Sequence, residues 1–314
     1  MSYNIGMSDS YLSRNIADSV YKKYIDDILF PSYPFSHDDC WRDASSERTG
    51  NAMKSISMVT TIYNLVDGRM PILTTRQVPF KSAMVELEGF IKGITSKQWY
   101  IDRGCHFWDY WCNPEKVPYS TDPEIQKLMK EEDDLGLIYG YQWRNFSDPE
   151  LPDNSVDQLS ILVNKLRNKT YDRRLRVSAW NPLAFDKMAL VPCHTEFNVF
   201  VSADWKYMDL SFNMRSNDLA LGYPNNQVFY AVLLILLAKE AGCTPRYLKH
   251  DIVDLHIYEN QVDVLVEQMK NRSYIPPKWK LKDGDFDIFE WKSTDIELIN
   301  YEHAGKIKMP FPAI

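Results

Sequence analysis

No stretch of this chain is apolar for the length that a bilayer crossing needs. The longest greasy run, residues 228–238, is about half of that length and reads as a buried helix. The opening residues lack the apolar centre of a secretory leader. Cysteine is scarce and scattered: the five stand at 40, 105, 112, 193 and 243, with no Cys-x-x-Cys pair. No His-Glu-x-x-His occurs either, so neither a disulfide framework nor a metal site is expected, and the expected compartment is reducing cytoplasm. Gly-x-Gly-x-x-Gly and P-loop patterns are missing, which leaves a Rossmann or P-loop nucleotide site unsupported. Positive charge is not in excess. Lys and Arg number 36 against 43 Asp and Glu, for a net charge of −7, so a sequence-nonspecific nucleic-acid binder is disfavoured. Internal repeats and low-complexity linkers are also absent.

What is present is a globular composition: 314 residues, 45% hydrophobic and 25% charged. The spacing of Leu12, Ile16, Val20, Tyr24 and Ile28 predicts a helix over 10–30. Residues 1–40 read as an N-terminal extension carrying that helix, and 41–314 as one catalytic domain. Residues 113–134, polar and proline-bearing, read as a surface insertion. Strands are expected at 55–65, 175–180, 195–201, 206–214 and 252–258, and helices at 80–93, 156–168, 225–241 and 260–270. Strands and helices mix without regular βαβ alternation, which predicts an α+β fold.

The chemistry gathers around Leu190-Val191-Pro192-Cys193-His194. A cysteine is a nucleophile as thiolate, and a guanidinium nearby stabilises that form. The two alternating segments after Cys193 fold back as a hairpin that returns Arg215 beside it. Arg48, Arg173, Arg174, Arg215 and Ser216 are anion ligands by type, or else surface ion pairs. Asn226 begins the apolar helix, where its amide either reads a base edge or caps the helix. Asp254, His256 and Tyr258 share one strand face, which is either a site wall or a solvated surface. Glu86, inside an amphipathic helix, is either exposed or a buried proton handler. Trp108, Trp111, Tyr139 and Trp143 make an aromatic region, either core or a platform for a flat ligand.

These segments, in order, resemble the thymidylate synthase superfamily from Arg48 to Ile314. The motifs are Arg48-Thr49-Gly50, Thr74-Thr75-Arg76, Asp134-Leu135-Gly136 with Tyr139 to Arg144, and Arg173-Arg174 with Ser178 to Asn181. They continue with Met188 to His194, Arg215-Ser216-Asn217-Asp218 with Leu221-Gly222, Asp254 to Tyr258, and the terminal Ile307 to Ile314. The resemblance implies a single α+β domain whose large mixed sheet, flanked by helices, packs at a homodimer interface. It implies one-carbon transfer from 5,10-methylenetetrahydrofolate to C5 of a pyrimidine nucleotide, with Cys193 adding to C6. Arg215, Glu86, Tyr139, His194 and Asp218 would join Cys193 in catalysis. Arg48 and Ser216 would bind phosphate with Arg173 and Arg174 from the partner subunit, Asn226 would read the base, and His256 and Tyr258 would bind the sugar. Trp108, Trp111, Asp218, Gly222 and Ile314 would face the folate.

Met214 to Asp218, Pro224-Asn225-Asn226, Val253 and Gly89 depart from the usual synthase wording. The first resembles the phage nucleotide hydroxymethylases, in which water captures the methylene intermediate. Asn226 and His194 follow the uridylate pattern. The expectation is therefore a deoxyuridylate hydroxymethylase, with thymidylate synthase, a deoxycytidylate hydroxymethylase and an inactive nucleotide- or RNA-binding dimer as alternatives. Trp108 and the carboxyl terminus pull toward the synthase.

Overall fold

The computed structural model describes residues 15–30, 41–42 and 51–311. Arg48, Ile314 and the opening residues of the expected first helix lie outside them. Helix α1 (Ile16–Leu29) starts at Asn15, whose side chain accepts from Asp18 N. Its Ala17, Tyr21, Ile25 and Ile28 join the hydrophobic core. Buried Asp18 accepts from Thr74 N at 2.9 Å and from Thr75 N and Oγ1 at 3.1 and 3.0 Å. That satisfied carboxylate fastens α1 to the Thr74-Thr75-Arg76 segment.

One six-stranded sheet organises the rest, in the order β1 (Met53–Asn64), β6 (Thr244–Tyr258), β4 (Tyr207–Met214), β3 (His194–Val201), β2 (Arg176–Ser178), with β5 (Asn217–Asp218) also on β6. β6 runs parallel to β4 and β5 and antiparallel to β1, so the sheet is mixed and the fold is the expected α+β. Alternation along β4 turns Met208, Leu210, Phe212 and Met214 to the core. Against that face lies α7 (Gly222–Ala241), apolar on every side and almost wholly buried. Helices α2 (Phe80–Lys92), α5 (Tyr139–Arg144) and α6 (Gln158–Arg167) complete the layer. The 113–134 segment carries its own helix, α4 (Pro123–Glu131), capped by Asp122. Buried Lys97, at the start of α3 (Lys97–Ile101), ties it down by donating to Met129 O at 2.7 Å. A small hairpin, β7 (Lys278–Leu281) with β8 (Ile296–Ile299), follows α8 (Val262–Met269).

Gly89 has a packing reason. A Cβ there would sit inside the ring of Tyr100, which is fully buried and donates to Ile94 O. Gly89→Ala is expected to cost about 1–3 kcal/mol by overpacking. Thermal melting of this variant against Gly89→Ala combined with Tyr100→Leu checks it, since the smaller partner should recover part of the loss.

Candidate functional site

The β3–β4 hairpin forms as expected, and Arg215 N donates to Cys193 O at 2.8 Å across its mouth. The Arg215 guanidinium donates from Nε to Pro192 O and from Nη2 to Val191 O, both at 2.9 Å. Those two bonds fix its plane and leave Nη2 at 3.9 Å from Cys193 Sγ. A cation held this way is a standing counter-charge for a thiolate.

On the other side of Cys193 stands Tyr139, at the start of α5, whose hydroxyl accepts from Cys193 N at 2.9 Å. Burial raises its phenol pKa well above the ordinary value, so the proton stays on oxygen. Its ring stacks on His194 at 4.2 Å and on Phe90 at 5.0 Å. His194 is fully enclosed, pairs through Nδ1 with Tyr230 Oη at 2.8 Å, and burial lowers its pKa to about 3. It is therefore neutral at physiological pH. Its ring packs face to face against that of Tyr139.

Glu86 is buried, not exposed, with Trp108 Nε1 donating to Oε1 at 3.1 Å. Burial raises its pKa to about 8, and the indole hydrogen bond only partly opposes that. Trp108 reaches Tyr139 at 5.9 Å between ring centroids. A neutral carboxyl, an indole, a phenol and a thiol thus stand in one contiguous chain. Trp111 is half-buried on the same loop, and its carbonyl accepts from Lys97.

Asn226 is not a helix cap. α7 begins at Gly222, which puts Asn226 inside its first turns. Asn226 Nδ2 donates to Asn217 Oδ1 at 3.4 Å, and Asn217 Nδ2 lies 3.3 Å from His250 Nε2. A Cβ on Gly222 would come within 2.7 Å of Asn217 Oδ1, so Gly222 leaves room for this amide pair. Asp218 Oδ1 accepts from Ala220 N at 2.7 Å and Leu221 N at 3.1 Å, while Oδ2 accepts from Gln261 Nε2 at 2.9 Å. Asp218 pairs in the sheet with His256. His256 and Tyr258 are buried, and His256 Nδ1 lies 3.3 Å from Asp254 Oδ1. Asp254 in turn pairs with Arg42 at 2.8 Å. At His256 and Tyr258 the strand face is therefore not a solvated surface. Ser216 is half-buried in the link between β4 and β5.

Arg173 and Arg174 are exposed and are not brought to this chain's own Cys193. The register Val177↔Phe197 and Ser178↔Glu196 carries them toward the far end of β3, about 20 Å or more along the strand from Cys193. Asn217, Gln261 and Tyr230 were missed as site residues. Asn217 stood in a quoted motif, whereas nothing in the sequence around Gln261 or Tyr230 marked them. Among the described residues no group of His, Cys, Asp and Glu could hold a metal ion, and no helix is long and apolar enough to cross a membrane.

A thiol stands beside a fixed guanidinium and a phenol, and a buried carboxyl is held by the neighbouring indole, the kind of setting that covalent catalysis uses. The family described as thymidylate synthase has a sequence model that matches residues 38–313. The thymidylate synthase of Mycoplasma genitalium is 37% identical over 245 residues, 74% of this chain and 82% of that protein. That of Mesoplasma florum is 35% identical over 274 residues, 83% of this chain and 91% of that protein. The bifunctional dihydrofolate reductase-thymidylate synthase of Leishmania major is 33% identical over 305 residues, and the chain spans 56% of its length. The chain belongs to the thymidylate synthase family. Enzymes of this family are one-carbon transferases that use methylenetetrahydrofolate as co-substrate.

Proposed function

We propose that this chain transfers a one-carbon unit from 5,10-methylenetetrahydrofolate to C5 of deoxyuridylate and releases thymidylate. The observation that carries the reading is Cys193 Sγ held 3.9 Å from the Arg215 guanidinium. Addition of this sulfur to C6 pushes the electron pair of the C5–C6 bond onto C5, which becomes the nucleophile. The folate supplies the carbon and, for a methyl product, the two reducing electrons. Tyr139 fixes the Cys193 backbone, Glu86 handles protons at the base, and Asn226 presents an acceptor and a donor to its edge. Arg48, Arg215 and Ser216 take the phosphate, and His256 with Tyr258 the sugar. Trp108, Trp111, Asp218, Gly222 and Ile314 face the folate.

The buried aromatic cluster of Trp108, Phe90 and Tyr139 supports a dry site, which favours methyl over hydroxymethyl. The buried amide of Asn217 beside Asn226 favours the second reading, a deoxyuridylate hydroxymethylase, because it brings polar groups that order water. The working unit is a cytoplasmic homodimer. The outer face of the sheet exposes Ile62, Phe200 and Tyr247 around a shallow depression that a second copy would cover. Arg173 and Arg174, at that edge of the sheet, then serve the partner's site.

Incubation with deoxyuridylate and methylenetetrahydrofolate separates the readings. Dihydrofolate by absorbance with a methyl nucleotide by mass is the expected result. A hydroxymethyl nucleotide without dihydrofolate gives the second reading, and no new nucleotide sinks both. Asn226→Asp is expected to shift kcat/KM toward deoxycytidylate by at least about tenfold, since a carboxylate accepts from an amino group but cannot donate to O4. Competition between the two nucleotides measures it.

A further inference from the structure

Gln261 is fully buried, between the end of β6 and the start of α8, and no part of the mechanism above uses it. Its one amide touches three segments. Nε2 donates to Asp218 Oδ2 at 2.9 Å and to Pro310 O at 3.4 Å, and Oε1 accepts from Tyr258 N at 3.1 Å. Next to it, Asn260 Nδ2 donates to Phe311 O at 3.1 Å. Phe311 in turn packs on Tyr110 at 5.9 Å, in the loop between Trp108 and Trp111. The carboxyl-terminal segment therefore lies across the site, pinned on one side by the tryptophan loop and on the other by Asn260 and Gln261.

An amide nitrogen has two hydrogens, and here one goes to the Asp218 carboxylate and the other to the tail. With its oxygen spent on Tyr258 N, the Gln261 side chain cannot turn over. We infer that Gln261 is a positioning residue that couples seating of the carboxyl-terminal segment to the orientation of the Asp218 carboxylate, and so sets affinity for the folate co-substrate. This rests on the reading of Asp218 as a folate contact. Glutamine suits the part because it donates to a carboxylate and a carbonyl together without carrying a charge of its own.

The test uses the full-length enzyme. Gln261→Leu removes the bonds to Asp218, Pro310 and Tyr258 N and is expected to raise KM for methylenetetrahydrofolate about tenfold or more, the weight of the lost bond to the charged carboxylate alone being about tenfold. KM for deoxyuridylate should rise less than the folate KM, since the variant reaches the nucleotide only through the lost bond to Tyr258 N, and the rate of Cys193 alkylation by iodoacetamide should stay at the wild-type value, because Arg215 and Tyr139 are untouched. An unchanged folate KM, or equal losses in all three measurements, overturns the coupling. Should Gln261→Leu fail to fold, Gln261→Glu keeps the shape and sets two carboxylates face to face. They must share a proton, so folate KM should then climb with pH more steeply than in the wild type. A profile in that variant no steeper than the wild type's also overturns the inference. A wild-type enzyme that converts no deoxyuridylate with the folate is a different failure, of the functional reading beneath it.

Discussion

Cys193→Ala turns over no nucleotide, with kcat expected to fall about four orders of magnitude or more, as when other covalent nucleophiles are removed. The protein should still fold and still bind deoxyuridylate. The hydrogen bonds that shape the hairpin mouth, Arg215 N to Cys193 O and Cys193 N to Tyr139 Oη, are made by the backbone of residue 193 and survive the truncation. Arg215 keeps its two carbonyl acceptors and hence its position. Calorimetric binding of deoxyuridylate and single-turnover analysis by mass separate these two effects. Exchange of the C5 hydrogen at wild-type rate in Cys193→Ala would remove the sulfur from the mechanism.

Glu86→Gln should lose about two to four orders of magnitude in kcat, the usual weight of a positioned acid or base, and yet melt at a higher temperature than wild type. Both follow from one displacement. The carboxyl ordinarily titrates at 4.5 and is raised to about 8 by burial. The folded state therefore holds a proton that the unfolded chain has released, so wild-type stability declines as pH rises from 4.5 to about 8. Glutamine cannot ionise, and the stability advantage of the variant should grow across that window and level off above it. The pH profile of kcat/KM in the wild type should show an ionisation near 8 that is missing from the variant. Trp108→Phe gives a third check with a definite sign. The indole hydrogen bond lowers the Glu86 pKa, so losing it should move that ionisation to still higher pH. Melting curves at several pH values and pH–rate profiles of the three proteins settle the matter. A flat stability difference would mean that Glu86 is already ionised in the fold.

Much of this site was legible in the sequence because local pattern fixed it. Alternation in 195–201 and 206–214 pointed to a hairpin that returns Arg215 to Cys193, and the strands form at His194–Val201 and Tyr207–Met214. The apolar run after Asn226 dictated a buried helix, and motif order carried the family and its α+β fold. Where local pattern left two answers, only packing chose. Glu86 was exposed or buried on the strength of α2 alone, and the decision came from Trp108, which approaches from another segment. Asn226 could be a helix cap until the helix was seen to start at Gly222. Nothing local showed that His194 would be buried against Tyr139 and Tyr230, where burial lowers its pKa.

The sequence by itself determined which groups this protein carries and the hairpin that joins two of them. Contacts between residues far apart in the chain decided the rest, such as Gln261 with Asp218 and Pro310, or Asn217 with His250. Hydrogen bonds of that kind leave no periodicity in the sequence. They exist only once the sheet register and the helices behind it have set the distances, and burial has given each unpaired polar group a cost that a partner must offset.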